Sequence, residues 1–116
     1  MRHRKAGRKL DRNSATRKGL LRDLATSLII YEKIKTTEAK AKALRPVAER
    51  LVTVAKKNTI TSRRRLLKTL RHKKAVDKAL DVIGPRYATR AGGYLRITRI
   101  GNRLGDGAAV CQIEFV

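Results

Sequence analysis

Residues 95–115, LRITRIGNRLGDGAAVCQIEF, decide the fold class of this chain. The two ends of the stretch alternate apolar with polar side chains, which is the pattern of half-buried β-strands. The apolar positions are Leu95, Ile97, Cys111, Ile113 and Phe115. Between them, residues 101–107 are rich in glycine, asparagine and aspartate, which favour a loop between antiparallel strands. We therefore predict a C-terminal β-hairpin whose apolar face, Cys111 included, is buried.

The region upstream of the hairpin predicts a long helix followed by a strand. Asn13 and Ser14 are both suited to cap a helix, and leucines recur after them at helical spacing. This pattern predicts a helix over about 14–30. Residues 31–37, YEKIKTT, carry β-branched side chains in an alternating pattern and favour a short strand.

A second long helix is predicted to follow this strand and to end near residue 57. Thr36 or Thr37 is suited to cap it, and the apolar residues inside it recur at helical spacing. Pro46 lies within the predicted helix and removes one backbone hydrogen bond. We therefore expect a kink or a break near Arg45.

Two shorter helices are predicted between the second long helix and the hairpin. The first covers residues 63–71, with Thr61 or Ser62 as its cap, and has leucines on one side and cations on the other. The second covers residues 73–83. The glycine and proline at 84–85 that follow it are a strong signal for the end of a helix, so we expect a loop from there to the hairpin.

These elements predict a small α+β fold with a single core, because 116 residues form one domain of ordinary size. Four helices are expected to pack on one face of a small sheet that includes the C-terminal antiparallel hairpin. The other face must meet solvent or a partner, and it carries Arg96, Thr98, Gln112 and Glu114. Residues 14–116 form the predicted domain. Residues 1–13 are basic with few apolar side chains, so we expect a flexible N-terminal extension.

The charge balance restricts the kind of partner. The chain has 30 Lys and Arg residues against 9 Asp and Glu, which gives a formal net charge of +21 and a pI near 11.4. Nine cations lie between residues 2 and 22, seven between 63 and 74, and five, all arginine, between 86 and 103. Self-repulsion on this scale destabilises an isolated fold, so we expect a polyanionic partner. The forked guanidinium of arginine suits phosphate, which favours nucleic acid.

Other function classes find little support in the sequence. No stretch approaches the roughly 20 apolar residues that cross a bilayer, and the basic N-terminus is not followed by the apolar segment of a secretory signal. His3, His72 and Cys111 do not form the cluster typical of zinc, and no constellation of acid, base and nucleophile is visible. We expect a cytoplasmic protein with no catalytic residue, metal, cofactor, small-molecule substrate or membrane partner.

The residues alone leave the type of nucleic acid open. The two short helices suggest a helix-turn-helix, but their connection at His72 lacks the turn glycine often found there. Tyr87 and Tyr94 either stack on a base or, as we prefer, pack at the edge of the sheet. Recognition of RNA backbone and shape fits best. A nucleoid-type DNA-binding protein is the alternative, and an RNA-modifying enzyme is a more distant one.

Four longer motifs relate the chain to a known family. They are RHRKAGRKL at 2–10, KIKTTEAKAKALRP at 33–46, PRYATRAGGY at 85–94 and GDGA at 105–108. With these motifs the sequence resembles, along essentially its whole length, the bacterial large-subunit ribosomal protein of the L-seventeen family. The resemblance implies an α+β protein that binds and fastens large-subunit ribosomal RNA (rRNA) near the exit of the nascent-chain tunnel, among neighbouring ribosomal proteins, and supports translation.

The resemblance also implies that the N-terminal extension lies in the RNA. Asp11 stands where relatives often carry asparagine, and a carboxylate is less favourable beside phosphate. Because the sequence ends with its last strand, we expect no function that depends on a longer tail. The predicted RNA contacts, from the extension and from the cationic segments together, are Arg2, His3, Arg4, Lys5, Arg8, Lys9, Arg12, Arg17, Lys18, Arg22, Lys35, Arg63, Arg64, Arg65, Arg86, Arg90, Arg96 and Arg99.

Overall fold

Helix α1 (Ser14–Tyr31) begins where the sequence predicts it. In the computed structural model, which describes Leu10 and residues 13–116, the Asn13 side chain accepts a hydrogen bond of 2.8 Å from the Thr16 amide. The helix ends at Glu32, which adopts a left-handed backbone with φ 65° and donates its amide to the Leu28 carbonyl. This C-cap turns the chain directly into strand β1 (Lys33–Thr37), which begins two residues later than residues 31–37 predicted.

Helix α2 (Glu38–Lys57) follows without a loop, because Thr37 both ends β1 and caps the helix by accepting from the Lys40 amide. The helix is continuous through Pro46, so the predicted alternative of a break near Arg45 is wrong. Arg45 and Pro46 are exposed, whereas one side of the helix is buried on both sides of the proline. The packing of that buried stripe offsets the single backbone hydrogen bond that proline removes.

Helix α3 (Ile60–Thr69) starts before its predicted position because Thr59, and not Thr61 or Ser62, is the cap. The Thr59 hydroxyl accepts from the Ser62 amide at 3.1 Å and shares a second hydrogen bond with the Ser62 hydroxyl. Ser62 is therefore buried in the first turn. The helix also ends earlier than residue 71.

The next segment extends past its predicted end. Helix α4 (Lys73–Lys78) continues as a π-helical turn (Ala79–Ile83) and then as the short helix α5 (Gly84–Arg86). The prediction that Gly84 and Pro85 stop the helix is wrong. A Cβ atom on Gly84 would lie 2.8 Å from the Ala55 carbonyl oxygen, so the glycine permits close approach to α2 rather than a turn. Pro85 is accommodated because it lies in the first turn of α5.

The sheet consists of β1, β2 (Leu95–Asn102) and β3 (Ala109–Phe115), with β3 in the centre and both neighbours antiparallel to it. The predicted C-terminal hairpin is confirmed. Ile113 faces Ile34 on one side and Ile97 on the other, which fixes the register of the apolar face. A bulge between Arg99 and Gly101 interrupts the pairing before the hairpin loop.

The core lies between this apolar sheet face and the helices, which confirms the predicted α+β fold. Helix α2 is central and contacts α1, α3, the π-helical turn, α5 and all three strands. Cys111 is 1% exposed, as its strand position predicts, and Tyr94 closes the core at the sheet edge. Burial of each large aliphatic side chain contributes about 1.5–3 kcal/mol. The fully buried aliphatic ones include Leu28, Ile29, Leu44, Leu66, Leu70, Ile83 and Ile113.

Candidate nucleic-acid interface

The densest cationic surface lies along α3 and the turn that joins it to α4. Ser62, Leu66 and Leu70 are buried and fix one side of the helix against the core. The opposite side and the turn expose a group that we call the α3 surface: Arg64, Arg65, Lys68, Arg71, Lys73 and Lys74. Arg64 and Lys68 are one helical turn apart, a spacing at which like charges repel. This surface is therefore suited to a polyanion.

Arg63 lies at the border of the α3 surface but has an acidic partner. Its Nη2 atom donates to Asp77 Oδ1 at 2.9 Å, which ties α3 to α4. Both side chains are about 40% exposed, so this pair contributes little to stability. Arg63 remains a predicted RNA contact, although Asp77 already neutralises part of its charge.

A second cationic surface lies near the N-terminal end of α1. It comprises Arg17, Lys18 and Arg22, of which Lys18 is exposed and the two arginines are partly buried. No acidic residue occurs in the first turn of this helix, where carboxylates would favour the helix dipole. The positive end of the helix and the three cations therefore favour an anion in the same place.

The uncovered face of the sheet provides a third surface, as the alternation of the strands predicts. The register forms one row of Lys33, Glu114 and Arg96, in which Arg96 Nη2 donates to Glu114 Oε1 at 3.3 Å. The next row contains Lys35, Gln112 and Thr98. Lys35 and Arg96, both predicted RNA contacts, are thus brought to one face.

Arg99, also a predicted RNA contact on a strand, does not share the uncovered face with Lys35 and Arg96. It is paired in register with Cys111 and so belongs to the core side of the sheet, yet it is exposed at the bulge that interrupts the pairing. Arg103 in the following loop pairs with Asp106, and this ion pair lowers the pKa of Asp106 to about 2.

Three charged side chains near the end of α1 form what we call the Glu32 cluster: Glu32, Lys78 and Arg86. Arg86 forms an ion pair with Glu32 Oε1, and Lys78 Nζ lies 3.1 Å from Glu32 Oε2. The hydrogen bond from Arg86 is the main cause that holds the pKa of the Glu32 carboxyl below its ordinary value. Lys78 also donates to the Ile30 carbonyl at 2.7 Å. The cations of this cluster hold the helical segments together.

Arg90 and the two tyrosines are likewise engaged within the fold. The Tyr87 and Tyr94 rings are buried and their centroids are 5.2 Å apart, which confirms packing at the sheet edge. The Arg90 guanidinium lies 5.2 Å from the Tyr87 ring centroid, and Lys56 Nζ donates to the Tyr94 hydroxyl at 3.0 Å. These rings are therefore not available to stack on RNA bases.

A groove between α2 and α3 contains cations that sequence reasoning missed. Arg50 and Lys57 of α2 line it together with Arg65 of α3, and its volume is about 460 Å³. The signal in the sequence was their seven-residue spacing, which places them on the same side of a helix. The spacing does not indicate which neighbouring element that side of α2 faces.

The predicted contacts in the N-terminal extension lie outside the residues that the structure describes: Arg2, His3, Arg4, Lys5, Arg8, Lys9 and Arg12. Within residues 13–116 and at Leu10, no group of three or more His, Cys, Asp or Glu side chains could hold a metal ion. In the same part of the chain, no helix is long and apolar enough to cross a membrane.

The chain is similar to known proteins along its whole length. The profile of the family described as "Ribosomal protein L17" matches residues 20–116. The chain belongs to the ribosomal protein L17 family. Large ribosomal subunit protein bL17 of Thermomicrobium roseum is 53% identical over 116 residues, which are 100% of this chain and 99% of that protein.

Two further relatives in the L17 family carry the same description. That of Gemmatimonas aurantiaca is 52% identical, with 100% of this chain and 98% of the relative aligned. That of Syntrophotalea carbinolica is 47% identical over 100% of this chain and 75% of the relative. Membership in the L17 family makes the chain a structural protein of the large ribosomal subunit and not an enzyme, with its place in the ribosome in the cytoplasm.

Proposed function

We propose that the chain binds and fastens large-subunit rRNA near the exit of the nascent-chain tunnel and thereby supports translation. The observation that carries this proposal is the α3 surface, where exposed cations are concentrated on a side that the helix does not bury. Repulsion among these cations costs free energy in the isolated protein. Attraction between the cations and rRNA phosphates offsets this cost in the complex.

The proposed mechanism is electrostatic. Each phosphate that a Lys or Arg neutralises releases condensed counterions, which favours binding without reading the base sequence. The cations of α1 (Arg17, Lys18 and Arg22), the α3 surface and the uncovered sheet face lie on different elements of one packed domain. A rigid domain with several such surfaces holds separate RNA segments at a fixed spacing. No cofactor or metal has a role in this mechanism.

We propose that the extension over residues 1–13 contacts RNA segments that the folded domain does not reach. Its cations match the RHRKAGRKL motif of the family, whose extension lies in RNA by the resemblance. Helix α1 has its own cap in Asn13 and its own buried residues, so the domain over 14–116 is expected to fold without the extension.

Deletion of residues 1–12 tests this division of roles. We expect the circular-dichroism spectrum and thermal midpoint to remain nearly unchanged, while affinity for large-subunit rRNA at moderate salt decreases strongly. A truncated protein that unfolds would show that the extension packs on the domain. A truncated protein that enters large subunits as well as the full chain would show that the folded surfaces suffice.

Competition between rRNA and duplex DNA tests the choice of partner. We expect the full chain to retain labelled large-subunit rRNA fragments when duplex DNA of equal phosphate concentration is added at matched salt. Equal displacement by either polymer would contradict the rRNA assignment and favour a general nucleic-acid binder.

The location near the tunnel exit rests on family resemblance and has its own test. An iron chelate attached at Thr98→Cys on the uncovered sheet face produces hydroxyl radicals close to that face, whereas the native Cys111 is buried and should not react. In assembled large subunits we expect cleavage of rRNA segments that surround the tunnel exit. Cleavage confined to the face that meets the small subunit would overturn this location.

A further inference from the structure

The groove between α2 and α3 has features that general electrostatic fastening does not use. One wall is formed by residues of α2 and the other by the cap and first turns of α3. The lining residues are Arg50, Thr53, Val54, Lys57, Thr59, Thr61, Ser62 and Arg65. Its volume of about 460 Å³ is within the usual range of small-molecule and cofactor sites.

The charge of the lining selects an anion. Arg50, Lys57 and Arg65 approach the groove from both walls, and no acidic side chain is among its lining residues. Thr59 and Ser62 belong to the capped N-terminal end of α3, where the helix dipole is positive. Guanidinium and ammonium groups both donate charge-assisted hydrogen bonds to phosphate, which is the anionic group of RNA.

The apolar part of the groove indicates more than a phosphate. Val54 forms part of its lining and also of an adjoining groove of about 270 Å³, which Val47 and Leu51 extend along α2. Arg50 and Arg65 border both grooves. An apolar strip between cations is suited to a flat base whose own phosphate meets the cations, and RNA loops present such unstacked bases.

We propose that this groove holds one splayed-out nucleotide of an rRNA loop. The base lies on the strip formed by Val54 and its neighbours, and the adjacent phosphate meets Arg50, Lys57 and Arg65. This inference rests on the proposed rRNA-binding function and adds a discrete site to it. An acidic peptide of a neighbouring protein is the competing occupant. The compact volume and the positive helix end favour a single phosphate with its base.

Filling the groove while keeping its cations tests the base contact. Val54→Phe places a larger side chain in the apolar strip, and Thr61→Trp does so from an exposed position where the cost to folding is small. Leu67→Phe is the matched control, because Leu67 is exposed on α3 but does not line the groove. The readout is chemical probing of rRNA at nucleotide resolution in large subunits assembled with each variant.

We expect both filling variants to expose the same single nucleotide to the probe, while the control leaves it protected. A second comparison isolates the phosphate contact. Arg50→Gln should reduce affinity for large-subunit rRNA by roughly tenfold or more through the loss of charge-assisted hydrogen bonds. Arg45→Gln, an exposed arginine on the same helix but outside the groove, should have a much smaller effect.

Each outcome separates this inference from the proposed function. If no nucleotide changes reactivity and Arg50→Gln equals Arg45→Gln while rRNA binding remains strong, the groove site is wrong and electrostatic fastening stands. If a photo-cross-linker at position 54 attaches to a ribosomal protein and not to rRNA, the acidic peptide is the occupant and the inference is overturned. Loss of rRNA binding by the unaltered protein at all salt concentrations would instead overturn the proposed function.

Discussion

The Glu32 cluster and the α3 surface use the same residue types for different purposes. In the Glu32 cluster, Arg86 and Lys78 converge on one carboxylate, which joins α4 and α5 to the end of α1. On the α3 surface, cations project from a helix on which Arg63, at the border of that surface, pairs with Asp77 of α4. Cations near acids are partly neutralised within the fold. Cations collected on one side of a helix are available to a partner.

The difference shows why net charge alone does not locate an interface. The five arginines between residues 86 and 103 are a cationic concentration in the sequence, yet Arg86, Arg96 and Arg103 each form an ion pair in the fold. The seven cations between 63 and 74 include one such residue, Arg63. We therefore expect the segment from 63 to 74 to contribute more to rRNA binding than the segment from 86 to 103.

The largest effect on folding is expected where α5 meets α2, next to the Glu32 cluster. Gly84→Ala introduces a Cβ 2.8 Å from the Ala55 carbonyl oxygen, a backbone atom that cannot rotate away. Overpacking of this kind lowers the free energy of unfolding by about 1–3 kcal/mol. Urea denaturation measures the change. Gly92→Ala is the control, because no heavy atom lies within 4 Å of its added Cβ. Equal stability of the two variants would show that α5 is not tightly packed on α2.

A smaller effect is expected from neutralising the Glu32 cluster. Glu32→Gln removes the carboxylate that Arg86 and Lys78 share, and because Glu32 is 37% exposed, solvent screening keeps the loss to about 1 kcal/mol or less. The direction in which this stabilisation changes with pH follows from the lowered pKa of Glu32 in the folded protein. The ion pairs stabilise the fold above the ordinary Glu pKa of 4.5, and this contribution is lost as pH falls through the folded value.

Denaturation of both proteins at several pH values checks this prediction. The stability difference between the unaltered protein and Glu32→Gln should be constant near neutral pH and should shrink as the solution is acidified below the ordinary Glu pKa of 4.5. A difference that grows on acidification would mean that the cluster does not stabilise the charged form of Glu32.

The smallest expected effect has the opposite sign and belongs to the α3 surface. Arg64→Glu replaces a like-charge pair with Lys68 by an attractive one at the same spacing, which stabilises the free protein by about 0.2–0.5 kcal/mol. The same change should weaken rRNA binding. Thermal denaturation and rRNA titration of one variant therefore move in opposite directions. A variant that is both less stable and unchanged in binding would show that Arg64 serves the fold.

The elements with strong periodicity could be predicted from the sequence. The hairpin and the buried Cys111 follow from strand alternation. The continuous helix at Pro46 and the helix through Gly84 could not, because tertiary packing on the core overrides the local signal at both positions. Local rules describe a residue and its sequence neighbours, and the Ala55 carbonyl that Gly84 meets is 29 residues away.

The candidate interface divides in the same way. Exposure of Arg64, Arg65 and Lys35 follows from helix and strand phase, which the sequence contains. The pairing of Arg86 with Glu32 joins residues that are 54 positions apart in the sequence. The groove that Arg50 shares with Arg65 likewise depends on how two separate helices pack. Such distant contacts are set by how the helices pack and leave no pattern in a single sequence.

The most direct test of the central claim compares two triple variants that remove equal charge. One carries Arg64→Gln, Lys68→Gln and Lys74→Gln on the α3 surface. The other carries Arg63→Gln, Arg96→Gln and Arg103→Gln, whose arginines pair with Asp77, Glu114 and Asp106. The measurement is the slope of log K for large-subunit rRNA against log salt, to which each phosphate contact contributes about 0.7–0.9. We predict that the α3-surface variant loses about 2 units of slope and the ion-paired variant less than half as much. Equal losses, or a larger loss in the ion-paired variant, would contradict the claim that cations without local acidic partners hold the rRNA.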